Sequence, residues 1–325
     1  MRFPAALGAL LAVLLLNSCA KKEQVPLDRL DQVLFAAKEP GQIREFLTRN
    51  KSIAQLYFGA DNGPDSSLVA DLHHRVNDPE LNLLYKQVQD EFPEENELAA
   101  QLGEAFANIK KAYPDFKPPR VVTMVTGFMG PDLVVSDSLV IVGLDYFLGP
   151  KAKYRPRGPE FPQYILRRYA KEYIAPTVVF TLSDAFNKNN PADQTMLADM
   201  VYFGKGYVFT KTMMPAVADS LVIGYSDVQL TETYNAQDMV WAHFIDKQLI
   251  YETRPDIKNR YMNDRPFTAE IGPRCPGAIG RWVGWRIVGR YFDKQTNPSI
   301  TDLMATDDAR KLFQESGYKG QKDEN

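Results

Sequence analysis

Histidine and cysteine are scarce in this 325-residue chain, with three of the first and two of the second. Cys19 and Cys275 fit no metal-ligand spacing such as C-x-x-C. His73 and His74 are neighbours on a helical stretch, so their side chains diverge, whereas shared coordination asks for an i,i+4 offset. No metal site or cofactor is expected from such a set. The spellings H-E-x-x-H, G-x-S-x-G, G-x-x-x-x-G-K-[ST] and G-x-G-x-x-G are all absent, which excludes the classes those motifs define. An excess of one charge is missing too: 38 Lys+Arg against 41 Asp+Glu gives −3, with the signs interspersed. That balance offers no electrostatic hold on nucleic acid. Disorder throughout is excluded by a 45 % hydrophobic content, enough to bury a substantial core.

Long apolar runs are also lacking, with one exception at the N-terminus. Ala5 to Leu16 is an uncharged run of 12 residues behind Arg2. As a helix it would span roughly 18 Å, short of the ~30 Å hydrocarbon core, so it reads as an export signal and not as an anchor. The run ends in Leu16-Asn17-Ser18-Cys19, the pattern of a bacterial lipobox. Cleavage before Cys19 and lipidation of its sulfur are therefore expected, with acyl chains contributing ~0.8 kcal/mol of membrane affinity per buried CH₂. Residues 1–18 would be the signal peptide and 19–26 a lipidated tether. Loss of Arg2 takes the net charge from −3 to −4, and Cys275 remains as a free thiol with no disulfide partner.

Residues 27–325 read as a single globular domain in two parts. From 27 to 114 apolar residues recur at helical spacing, as in Leu27, Leu30, Val33, Leu34, Ala37 and again in Leu98, Leu102, Ala105, Phe106, Ile109. Breaks at Pro40-Gly41, Asn62-Gly63-Pro64, Asp78-Pro79 and Phe92-Pro93 divide this part into four or five helices. From 115 to 325 the character changes: RVVTMVTG, DLVVS and LVIVGLDYF supply strands, with a tight hairpin at Asp137-Ser138. Helices return after Pro162. Ser226-x-x-Gln229 resembles a capping box, Asn235 is a candidate cap for the helix carrying His243, Thr306 for the last helix, and Gly317 for its end. The fold class is α+β, predominantly α-helical with one small β-sheet.

Few residues point to chemistry. His243, in Trp241-Ala242-His243-Phe244, reads as a core histidine bonded to backbone or carboxylate; pairing with a Cys275 nucleophile would require proximity. Gly224-Tyr225-Ser226-Asp227 lacks the second glycine of a nucleophile turn, and Ser226 is better explained as a helix cap. Asp145, after a strand, is an acidic cap on the following turn or one of a general acid/base pair with Glu270. The most unusual stretch is PGAIGRWVGWRIVGRYF, residues 276–292. Its glycines each cost ~1 kcal/mol in a helix, and Gly280-x-x-x-Gly284 would admit a close backbone or ring. Arg281, Arg286 and Arg290 exclude a membrane span. The helix is either tightly buried core or a partner-docking element, with Trp282, Gly284 and Trp285 as its contact residues.

Four ordered segments carry a resemblance: Gly143-Leu144-Asp145-Tyr146-Phe147-Leu148-Gly149; Met200-Val201-Tyr202-Phe203-Gly204-Lys205; Leu221-Val222-Ile223-Gly224-Tyr225 leading to Trp241-Ala242; and Pro276 to Trp285. With Glu315-Ser316-Gly317-Tyr318-Lys319 and the lipobox, they resemble the GldB-type gliding-motility lipoproteins of Bacteroidetes. The resemblance implies a lipid-anchored envelope protein, its globular domain exported with the periplasm as the expected compartment, needed for gliding and linked to type IX secretion. Its partners would be the membrane, through Cys19, and proteins of the gliding or secretion machinery, with no enzymatic activity and no catalytic residues. The wider superfamily is similar to zinc peptidases that carry H-E-x-x-H on the helix before the Gly-Lys segment. Here that helix reads Asp193-Gln194-Thr195-Met196-Leu197-Ala198-Asp199-Met200, without histidine. The resemblance thus implies a zincin-like scaffold lacking its metal motif, with Asp145, Asp199 and Glu270 as a vestigial pocket. The alternatives are an envelope hydrolase with a non-standard active site and a ligand-binding lipoprotein.

Overall fold

The computed structural model describes residues 24–61, 63–93 and 97–321. The expected signal peptide, Cys19 and most of the tether lie outside the described residues. The fold is predominantly helical around one four-stranded sheet, ordered β1-β2-β4-β3. Its strands are β1 (Leu27–Asp28), β2 (Arg120–Met124), β3 (Leu133–Val135) and β4 (Leu139–Gly143). β1, β2 and β4 run parallel, with Leu27 opposite Val121 and Val122 opposite Ile141. β3 folds back antiparallel on β4 through the expected hairpin, where the Ser136 N–H donates to the Leu139 carbonyl.

Strand alternation makes this sheet a partition between two cores. Val122, Met124, Leu139 and Ile141 face α1 (Leu30–Ala36), α2 (Pro40–Arg49), α3 (Lys51–Phe58) and α4 (Ser66–Asn77). Val121, Val140 and Val142 face a larger core that includes α5 (Pro79–Glu91) and α6 (Glu97–Ala112). All five residues of β4 are buried, as a strand covered on both faces requires. The first part of the chain is thus shared between the two sides of the sheet.

Three local expectations are corrected. Leu27 begins a strand and not a helix: Leu27–Asp28 pairs with β2, Arg120 bonds Asp28, and Val33 of the supposed stripe is 52 % exposed. Two residues are too few to show strand alternation. The buried Asp31 then locks the entry, taking two bonds from Arg29 at 2.9 and 3.0 Å and a third from the Thr123 hydroxyl. The other two corrections are caps. Asn235 ends α11 (Asp227–Asn235), and Ala236 separates it from α12 (Gln237–Asp246) without a side-chain bond. The Thr306 hydroxyl donates back to Asp302, whereas Asp308 caps the last helix. The Ser226–Gln229 capping box and the Gly317 terminus are present as expected.

After β4, short α7 (Gln163–Leu166) leads to α8 (Ile174–Leu182) and the 18-residue α9 (Met196–Met213), followed by α10 (Asp219–Ile223). Beyond α11 and α12 come α13 (Pro255–Met262), α14 (Ile279–Asp293), α15 (Ile300–Ala305) and α16 (Ala309–Ser316). The axis of the larger core is α9, and Gly204-Lys205-Gly206 shows how it is surrounded. A Cβ on Gly204 would lie 2.3 Å from the Gly284 carbonyl of α14, and one on Gly206 would lie 2.7 Å from the Phe180 ring of α8. The Lys205 ammonium between them donates to the carbonyls of Lys188, Met304 and Thr306 at 2.7, 3.1 and 2.7 Å. Among the described residues, no helix is long and apolar enough to cross a membrane.

Candidate functional site

The carboxylates expected to mark a vestigial pocket have different partners. Asp145 sits in the tight turn Leu144–Phe147 at the end of β4, buried. It does not cap its own turn. Its Oδ2 accepts the N–H groups of Thr126, Gly127 and Phe128 at 3.1, 2.8 and 2.9 Å. Gly127 and Phe128 both adopt positive φ, 71° and 63°, which points successive amides at one anion. Burial pushes the Asp145 carboxyl upward, opposed by those three amides and by its own backbone N–H. Tyr146 fastens the same loop by donating to the Gly130 carbonyl at 2.7 Å. Asp145 therefore shapes the β2–β3 loop. The signal the sequence withheld was the partner segment, 17 to 19 residues upstream.

Asp199, on α9, pairs with Lys258 of α13 at 2.6 Å. Glu270 pairs with Arg265 at 3.0 Å, in the loop before α14. Among the described residues no cluster of three His, Cys, Asp or Glu side chains has the geometry to hold a metal ion.

His243 is half-buried on α12, and its Nε2 lies 3.0 Å from the Tyr261 hydroxyl of α13. The partner is a phenol and not the expected backbone or carboxylate. Burial and the nearby Lys247 push the imidazole below its ordinary value against the opposing pull of Glu270 and Asp246, favouring the neutral ring. Tyr261 also feels Glu270 and Cys275, so the structure brings His243, Glu270 and Cys275 around one phenol. Cys275 makes its contact with the Pro276 carbonyl, 3.8 Å from its sulfur, and burial pushes its thiol up to about 12. A thiol so raised is protonated near neutral pH and is a poor nucleophile.

The glycine-tryptophan helix is α14, and the surface it meets is α9 of the same chain. A Cβ on Gly284 would lie 1.8 Å from the Met200 carbonyl, so only glycine permits this crossing. Trp282 is fully buried against Tyr234, and Trp285 is buried against Tyr207, with ring centroids 5.6 and 5.3 Å apart. Their rings consequently offer no surface to a partner. The arginines of the helix lie along aromatic faces, Arg281 over Phe203 at 4.2 Å and Arg286 over Tyr234 at 5.1 Å.

A surface suited to receiving another molecule is assembled from segments far apart in the chain. Between the end of α5 with Phe92 and Pro93, the start of α6, and the α9–α10 turn lies a cleft of about 600 Å³. Phe92, Leu98, Met213, Met214, Val217 and Leu221 form its apolar lining. Its rim is charged: Lys171 bonds Glu91 at 2.7 Å and also feels Glu172 and Glu97, so one ammonium faces three carboxylates. The Asn108 amide donates to the Met213 carbonyl at 2.9 Å, and Lys211 fastens the turn through the Val217 carbonyl and Asp219. Residues from 91 to 221 contribute, so no local motif announces it.

The chain matches no curated protein and no solved structure. A family model described as gliding motility protein GldB matches residues 17–320, nearly the whole chain and both sides of the sheet. The chain belongs to the GldB family of gliding motility proteins.

Proposed function

We propose that this GldB-family chain acts in gliding motility as a lipid-anchored, non-enzymatic assembly component. In this reading Cys19 carries the lipid, the body is exported into the periplasm, and the protein serves the type IX secretion apparatus by docking other proteins. The observation that carries the reading is the family match, which begins at residue 17 and so includes Cys19. The catalytic candidates add support, because the carboxylates serve the fold and the thiol is a poor nucleophile. Asp145 holds the β2–β3 loop, Asp199 and Glu270 tie neighbouring segments through Lys258 and Arg265, and Cys275 is a high-pKa thiol. At the other end of the tether, the Val25 N–H donates to the Ala99 carbonyl on α6 at 3.1 Å, joining tether to body.

Metabolic labelling with a fatty-acid analogue tests the anchor. Label is expected on the wild-type chain and absent from Cys19→Ala, with the variant released from membranes. Undiminished label on the variant overturns lipidation at Cys19. Deletion of the gene is expected to halt gliding and reduce type IX export; a deletion strain that glides and exports normally contradicts the motility role.

A further inference from the structure

The α6–α10 cleft lies next to the point where the tether joins the body. Leu98 and Gln101, on its wall, flank the Ala99 carbonyl that receives the Val25 N–H. Its apolar floor and acidic rim repeat, in complementary form, the two faces of a basic amphipathic segment. Of the three carboxylates around Lys171, Glu91 is joined to it directly at 2.7 Å, while Glu97 and Glu172 are exposed. The rim therefore carries net negative charge toward an incoming ligand. Anionic lipid headgroups would be repelled by it, whereas lysine or arginine side chains would be drawn in. Asn108 and Lys211, bonded to the carbonyls of Met213 and Val217, hold the backbone of this wall in place before a ligand arrives.

The geometry points to this cleft as the docking site for a basic amphipathic segment of a partner protein. Apolar side chains of that segment enter among Leu98, Met214, Val217 and Leu221, and its cations meet Glu97 and Glu172. The assignment rests on the assembly-component reading and gives it a place and a partner chemistry.

Fluorescence anisotropy on the purified full chain tests it with two synthetic helices, one of Leu and Lys at helical spacing and its Leu and Glu counterpart. The Leu/Lys helix is expected to bind at least ~10-fold more tightly than its counterpart, with affinity falling as salt is added. Glu97→Lys combined with Glu172→Lys should weaken that binding ~10-fold or more. Val217→Asp should also weaken it, while Glu232→Lys, at a residue lining a different surface hollow, should leave it unchanged. The double charge reversal lies on exposed positions, so it remains informative if Val217→Asp fails to fold. Equal binding of the two helices, or full binding by the charge-reversed chain, overturns the assignment. In cells, normal gliding of the charge-reversed strain beside a non-gliding deletion rejects the cleft and leaves the assembly role standing. A deletion strain that glides rejects the motility role, and the anisotropy result then decides the cleft alone.

Discussion

Lys205 is the buried charge whose role is most open to measurement. Its ammonium donates to three carbonyls, and burial pulls it down to about 8 from an ordinary 10.5 against the opposing pull of Asp307. Between those values the unfolded chain binds the proton and the folded chain does not, so this group makes stability rise with pH there. Lys205→Met should cost about 1–3 kcal/mol at neutral pH, because carbonyls lose their donor. It should also remove the rise in stability between about pH 8 and about pH 10 that Lys205 contributes. Urea midpoints of both chains across that range check the sign, and parallel profiles would contradict it. The sequence shows only a lysine between two glycines, since its acceptors lie 17, 99 and 101 residues away. Asp145 was illegible for the same reason: its strand-end position was visible, but the amides it serves belong to another segment.

At the scale of elements, the crossing of α9 and α14 holds the larger core together. Gly204 and Gly284 let the two backbones meet, and a methyl at Gly284 would sit 1.8 Å from a carbonyl oxygen that has nowhere to move. Gly284→Ala is therefore expected to destabilise by about 3 kcal/mol or more, or to prevent folding. Gly289 lies on the same helix with nothing within 4 Å of the point a Cβ would occupy, so Gly289→Ala should instead stabilise by about 0.5–1 kcal/mol. Thermal melts of the two variants separate close approach from simple helix propensity; equal shifts would contradict the packing account. The glycine spacing and aromatic stripe of α14 were legible, as were β2, β3, β4 and the hairpin, because periodicity is local. The identity of the helix it packs on was not, and β1 is too short to carry a period. The Asn235 and Thr306 caps failed where an adjacent helix boundary moved by one or two residues.

For the whole molecule, the sheet divides a smaller helical core from a larger one, and the α6–α10 cleft forms only when distant segments meet. Fold class was readable because composition and periodicity set it; the cleft was not, because no short stretch contains it. Family membership, and carboxylates engaged in structural contacts, support a protein that works by assembly. Gliding by a deletion strain complemented with one multiply substituted chain tests that claim directly. The chain carries Asp145→Asn, Asp199→Asn, His243→Gln, Glu270→Gln and Cys275→Ser; the first of these changes keeps a side-chain oxygen as acceptor for the three loop amides. If assembly is its work, this variant restores gliding to wild-type speed, provided its melting profile shows a folded protein. A folded variant present at wild-type level that leaves cells immobile, as the deletion does, would contradict the account and assign chemistry to those side chains.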